Sequence, residues 1–189
     1  RAAPVQVTWL GYAGTTGHPK LADYLLGDPV VTPLQHEHCY TETLAHLPNC
    51  YLPADTSIAL GPPPSRRAAG LPDEGFVFCS FNNSYKFNPW VFDLWCRLLS
   101  DVGESCLWLS QPGGTAQDRL RKEFEVRGVD PARLIFAPRV EARAGHLSRL
   151  QLADLALDPF PYNSHSTGLD VLWAGVPMVA LLGDTFPGR

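Results

Sequence analysis

The chain has 189 residues, 45% of them hydrophobic and 18% charged, with a formal net charge of -4 and a pI near 5.8. That length buries a real core in one or two domains, and the mild acidity excludes a general polyanion binder such as a nucleic-acid protein. It leaves room for a local cluster of donors around one anionic ligand.

No apolar run approaches the roughly 20 residues that a membrane helix requires, and the first residues lack a signal-peptide pattern. The five cysteines are odd in number and unpaired in spacing, which reads as reduced thiols and a cytoplasmic protein.

In chain order, Val5 to Leu10 reads as a strand, followed by a Gly-rich turn and a helix from Pro33 to Leu47. Gly61-Pro62-Pro63-Pro64-Ser65-Arg66-Arg67 breaks regular structure, because prolines remove donors and fix φ. The expected organisation is therefore a first region over 1–60, a linker over 61–73 and a second domain over 74–189.

From Gly75 onward short apolar runs alternate with helical patterns. Strands are expected at Phe76 to Phe81, Cys106 to Leu109, Leu134 to Ala137, Leu155 to Asp158 and Met178 to Leu182. Helices are expected at Pro89 to Leu99, Ala116 to Arg127, Ala144 to Gln151 and Thr167 to Ala174. Wholly apolar strands alternating with helices imply a parallel sheet covered on both faces, a Rossmann-like doubly wound α/β domain. Ligands of such sheets sit beyond the carboxyl ends of the strands. The chain stops soon after the last apolar run, which reads as a piece of a longer protein.

Three loops then carry candidate chemistry. Asn163-Ser164-His165-Ser166-Thr167-Gly168-Leu169-Asp170 follows the fourth strand of this domain. Ser166 or Thr167 is the expected N-cap, and free N–H groups with hydroxyls and an imidazole suit a phosphate. Asp170 would repel that phosphate, so it suits sugar hydroxyls instead. An ordinary capped helix explains the same residues. Phe81 to Pro89 offers amides and Lys86, whose point charge suits a leaving diphosphate; a polar turn with a solvated lysine is the plain alternative. Arg143, His146 and Arg149 recur at helical spacing as a basic stripe, with Arg139 just before them; a solvated helix face is the plain alternative here.

Trp9-Leu10-Gly11-Tyr12-Ala13-Gly14-Thr15-Thr16-Gly17 places glycines after a strand, where backbone can approach a ligand, but it is neither GxGxxG nor a P-loop. His36-Glu37-His38-Cys39 with His46 invites a zinc reading, yet the spacing matches no standard finger.

These segments resemble a known family. Pro4 to Thr15 is similar to the P-x-Q-x-x-W-L-G-Y-P-G-T segment of O-GlcNAc transferases, as are Phe78 to Lys86, Gln151 to Asp154 and His165 to Val179. The resemblance covers essentially the whole chain. It implies a two-domain GT-B catalytic unit linked to tetratricopeptide repeats. Residues 1–60 would close the first catalytic half, and 74–189 would form a truncated nucleotide-sugar-binding half. It further implies inverting transfer of GlcNAc from UDP-GlcNAc to Ser or Thr of a protein acceptor, with no cofactor and no required metal.

Carried over by residue, Lys86 matches the lysine at the donor diphosphate, the one residue given a catalytic role. Gly11 lies in the matching Gly-rich loop, where Ala13 replaces the usual proline. Asn83 stands where animal enzymes usually have glutamine. His165, Ser166 and Thr167 match a His-Thr-Thr phosphate group, and Asp170 matches the ribose aspartate. His146 and Arg149 match a pair near the base, and Arg143 stands at a lysine that reaches the nucleotide. The residue that activates the acceptor hydroxyl is not evident, so the chain alone is expected to be inactive.

A bacterial source is suggested by the Ala, Pro and Arg content. Rival readings are a Spindly-type O-fucosyltransferase using GDP-fucose, an asparagine glucosyltransferase of the same family, and a non-catalytic nucleotide-sugar-binding scaffold.

Overall fold

A strand buried on both faces needs apolar side chains at consecutive positions, with odd and even residues going to opposite layers. The computed structural model, which describes residues 2–189, shows this division in the larger of two compact units, Thr56–Leu181. Its five-stranded sheet comprises β4 (Phe76–Ser80), β5 (Ser105–Ser110), β6 (Leu134–Ala137), β7 (Leu155–Leu157) and β8 (Met178–Val179). The labels follow β1 (Val7–Thr8), β2 (Tyr24–Gly27) and β3 (Thr43–His46) of the other unit. All pairings are parallel, in the order β6-β5-β4-β7-β8.

Four helices connect these strands: α1 (Pro89–Asp101), α2 (Ala116–Val126), α3 (Arg143–Leu150) and α4 (Ser166–Trp173). Val77, Cys79, Cys106 and Trp108 pack on Leu147 and Leu150 of α3 and Val171 of α4. The alternate residues Phe78, Leu107 and Leu109 pack on Val91, Trp95 and Leu99 of α1 and Phe124 of α2. Two helices therefore cover each face, as the Rossmann-like reading requires.

The chain builds outward from β4 through β5 to β6, then returns to place β7 on the other flank of β4. That reversal opens a crevice beyond the carboxyl ends of β4 and β7, the usual ligand position in an open α/β sheet.

The smaller unit combines residues up to Asp55 with Leu182–Arg189. It has a three-stranded parallel sheet, β1-β2-β3, and a small core of Leu25, Tyr51 and Phe186. The helix expected from Pro33 to Leu47 is not formed. A 3-10 helix, Leu34–Cys39, with no buried residue is followed by β3, which pairs with β2 through four residues. The apolar spacing of 34, 44 and 47 mimics a helix, but ladder pairing outweighs that weak local preference.

Two expected strands are shorter than their apolar runs. β1 pairs only at Val7 and Thr8, and Leu10 then turns with φ 62. β8 pairs only at Met178 and Val179.

The proline-rich segment is packed rather than loose. Gly61 N–H donates to Ser148 Oγ at 3.1 Å, and Gln151 Nε2 donates to the Gly61 carbonyl at 3.0 Å. Arg67–Ala69 forms a 3-10 turn, and Leu71 joins the core of the larger unit. The structural division thus falls at Asp55–Thr56, ahead of the expected 61–73. It also assigns Leu182–Arg189 to the first unit. Among the described residues no helix is long and apolar enough to cross a membrane.

Candidate functional site

The β4 and β7 strands are neighbours, so the loops that follow them meet. Beyond β4, Phe81 and Asn82 are buried and lead into a 3-10 turn, Ser84–Lys86. Lys86 Nζ donates to Asn82 Oδ1 at 3.1 Å and to the Asn163 carbonyl, from the β7 loop, at 3.0 Å. It also lies 4.6 Å from the centroid of the Tyr162 ring. Burial pulls the Lys86 ammonium below its ordinary value, and Asp158 partly offsets this. The ammonium is thus a held, partly desolvated charge, which strengthens its action on an anion.

The β7 loop is fixed from both ends. Ser164 N–H donates to Asp158 Oδ1 at 2.9 Å, and Asn163 Nδ2 donates to the Leu181 carbonyl at 3.0 Å. The Phe160–Pro161 peptide is cis, and Asn88, which caps α1, donates its amide to the Phe160 carbonyl at 2.5 Å. His165 is the residue before α4, and no side-chain hydrogen bond caps that helix. The expected cap by Ser166 or Thr167 is therefore corrected: both lie inside the first turn. Their N–H groups and hydroxyls stand at the positive end of the helix dipole. Burial, with Lys86 nearby, lowers the His165 pKa and keeps the ring neutral.

The α3 residues form a chain of contacts. Arg149 is only 8% exposed, so it is no solvated stripe. Its Nε and Nη2 donate to His146 Nδ1 at 3.3 and 3.0 Å, and its guanidinium lies 5.1 Å from the Phe81 ring. Arginine only donates, so His146 Nδ1 accepts and the ring proton sits on Nε2. Burial first, then the Arg149 and Arg143 cations, lower the His146 pKa, against the pull of Asp170.

Asp170 in α4 takes Arg143 Nη2 at 2.8 Å, and its other oxygen lies 3.9 Å from His146 Nε2. Lys86, His165 and Asn163 thus cluster across the β4–β7 crevice, while Arg143, His146, Arg149 and Asp170 link α3 to α4.

Two further expected residues have their own local settings. Asn83 is exposed, and its carbonyl accepts the Lys86 N–H at 3.0 Å. Gly11 belongs to the smaller unit, in the turn where its N–H donates to the Trp9 carbonyl at 2.7 Å. In that unit the Gly-rich loop is held by Glu42. The Glu42 carboxylate accepts from Thr15 Oγ1 at 2.6 Å, from Thr16 N–H at 2.7 Å and from the Thr16 hydroxyl. Of the histidines in the zinc reading, His36 faces the Arg189 guanidinium and His46 the Thr32 carbonyl.

Sequence reasoning missed Asp158 and Tyr162, and it gave Asn82 and Asn163 only as members of their loops. The available signal was a carboxylate at the end of an apolar strand with amides in the adjoining loops.

Comparison with known proteins identifies the family and the fold. Glycosyl transferase family 41 matches residues 1–61 and 59–189. A probable UDP-N-acetylglucosamine--peptide N-acetylglucosaminyltransferase, SEC, of Arabidopsis thaliana is 42% identical over 185 residues, 95% of this chain and 19% of that protein. The corresponding SPINDLY protein of Solanum lycopersicum is 36% identical over 191 residues, 97% of this chain and 20% of its own length. The chain therefore spans about a fifth of the curated relatives it matches.

Among solved structures, a mutant O-GlcNAc transferase of Thermobaculum terrenum superposes with a TM-score of 0.81 at 34% identity, over 99% of this chain and 35% of that one. Anabaena Alr3699/HepE, solved with UDP and glucose, shares the fold at a TM-score of 0.59 and 15% identity, over 86% of this chain and 45% of that one. The parallel α/β architecture is that of GT-B glycosyltransferases, and the chain belongs to glycosyl transferase family 41.

Proposed function

We propose that the larger unit binds the nucleotide-sugar donor of a protein O-GlcNAc transferase, and that the protein containing it transfers GlcNAc from UDP-GlcNAc to Ser or Thr hydroxyls. The observation that carries this reading is Lys86, which bridges the β4 and β7 loops at the reversal point of the sheet. In this reading the donor diphosphate lies against the first turn of α4, beside Lys86, His165, Ser166 and Thr167. Asp170 takes the ribose hydroxyls, and the base lies on the α3 side beside His146 and Arg149, with Arg143 at the rim. Asn83 keeps the donor-binding role that the family pattern suggests. The first unit belongs to the other catalytic half. A cytoplasmic location, in a longer protein bearing repeats, accompanies this assignment.

Breaking the sugar–phosphate bond places negative charge on the departing diphosphate. Lys86 supplies a positive charge there, and the α4 N–H groups with the two hydroxyls supply oriented dipoles. The neutral His165 ring donates or accepts a hydrogen bond without carrying charge into the site. These groups are set before the reaction, so they stabilise the developing charge without reorganisation.

Calorimetric titration of the chain with UDP, UDP-GlcNAc and GDP tests the reading. Binding of UDP and UDP-GlcNAc tighter than GDP is the expected result. Tighter binding of GDP would move the assignment to a guanine-linked donor, and no binding of any of them would sink it.

A further inference from the structure

The groups that hold Lys86 are themselves held by a residue outside the donor contacts described above. Asp158 closes β7, where its N–H donates to the Val179 carbonyl at 3.0 Å. Its carboxylate accepts the Ser164 N–H at 2.9 Å. The Asn163 amide donates to the Leu181 carbonyl at 3.0 Å, and its Oδ1 is buried without a partner. The carbonyl of the same Asn163–Ser164 peptide group receives the Lys86 ammonium at 3.0 Å. That peptide is planar, so holding its N–H fixes the direction of its carbonyl.

We propose that Asp158 is a positioning residue. It clamps the Asn163–Ser164 peptide so that the Asn163 carbonyl fixes the Lys86 ammonium at the mouth of the crevice, and it serves as the counter-charge for that ammonium without touching the donor.

A carboxylate suits this place better than an amide. It accepts the Ser164 N–H and its charge favours the one cation of the β4 loop. An asparagine would keep the acceptor for Ser164 but lose the charge. Burial raises the Asp158 pKa, while the Ser164 hydrogen bond and Lys86 oppose that rise. Among the described residues the ionisable groups facing Lys86 are Asp158, from the end of β7, Tyr162, from the loop after it, and His165, from the start of α4. Of these, Asp158 is the group whose charge favours the ammonium.

The role of Lys86 at a diphosphate rests on the proposed function; the clamp itself does not. The test therefore reads Lys86 without ligand as well as with it. In the 189-residue chain the lysines are reductively methylated with 13C, and the Lys86 signal, assigned by its loss in Lys86→Ala, is titrated in wild type and in Asp158→Asn. Asp158→Asn is expected to move the Lys86 titration to lower pH, because the counter-charge is gone. It is also expected to weaken UDP binding about tenfold, as for one lost charge-assisted contact, and to bring the alkaline fall in affinity to lower pH. In the Lys86→Ala background, Asp158→Asn should change UDP affinity less than twofold.

An unmoved Lys86 titration, or an equal loss of affinity with and without Lys86, overturns the proposal. A moved titration with no nucleotide binding leaves the clamp standing and sinks the donor site. If Asp158→Asn does not fold, the Asp158 carboxyl carbon is followed in the wild-type chain. Lys86 must then shift as that carboxyl titrates, and an unresponsive Lys86 refutes the pairing.

Discussion

Replacing Glu42 by glutamine should cost the smaller unit about 3 kcal/mol at neutral pH. Glu42 is 3% exposed. Burial alone would raise its pKa, but hydrogen bonds from the Thr15 and Thr16 side chains and the Thr16 N–H outweigh burial and hold the carboxyl at about 2, below its ordinary 4.5. At about 1.4 kcal/mol per pH unit, that depression corresponds to about 3 kcal/mol favouring the ionised form in the folded chain. The sign follows from the depressed value: the contribution is complete above about 4.5 and is lost as pH falls towards about 2.

Glutamine resembles the protonated acid, so Glu42→Gln should lose this amount at pH 7 and gain nothing further from it by acidification. The assay is urea denaturation of both chains at pH 7 and pH 3, followed by the NMR signal of the Trp9 indole N–H, which donates to the Tyr51 carbonyl at 2.9 Å. Equal stability at pH 7, or parallel loss in both chains on acidification, would refute the reasoning. Amide exchange of Thr16 and Gly17 should quicken in the variant, since both N–H groups are held within the Glu42–Thr15 network.

Other outcomes follow from particular contacts. Gly168→Ala places a Cβ 2.8 Å from Ser164 Oγ, so it should displace the β7 loop and weaken UDP binding about tenfold with little loss of helix content, by calorimetry and circular dichroism. Phe124→Ala removes a fully buried ring packed 5.4 Å from Phe92, and should cost about 3–5 kcal/mol in denaturant unfolding. Burial and the Arg149 cation depress the folded pKa of His146, so its contribution is present above the ordinary 6.5 and lost as pH falls below it. His146→Gln should therefore flatten the stability curve between pH 7 and pH 5, measured by thermal melting.

The doubly wound unit was legible because its strands are buried on both faces. Val77 to Cys79 and Cys106 to Leu109 must be apolar at every position, and the helices between them keep their own period. The smaller unit was harder. Leu34, Leu44 and Leu47 imitate a helical stripe, and only the pairing of Thr43–His46 with β2 reveals a strand. Pairing between segments separated in sequence leaves no local mark.

The site divided along the same line. Lys86, His165 and Asp170 announce themselves by chemical type and by their place after strands or at a helix start. Asn163 and Asp158 do not, because their work depends on β7 lying beside β4. Arg149 was legible as a cation, but its burial against Phe81 and His146 was not. Helical spacing indicates which residues share a face, not which element covers it.

The central claim is that the crevice at the sheet reversal holds a diphosphate through Lys86. The direct measurement is calorimetric titration of wild-type and Lys86→Ala chains with UDP and with uridine, alongside an exposed control on α2, Arg119→Ala. The account predicts that Lys86→Ala weakens UDP binding about tenfold or more, leaves uridine binding unchanged, and that the control alters neither. UDP binding that is indifferent to Lys86, or uridine binding that falls as far as UDP binding, would contradict it.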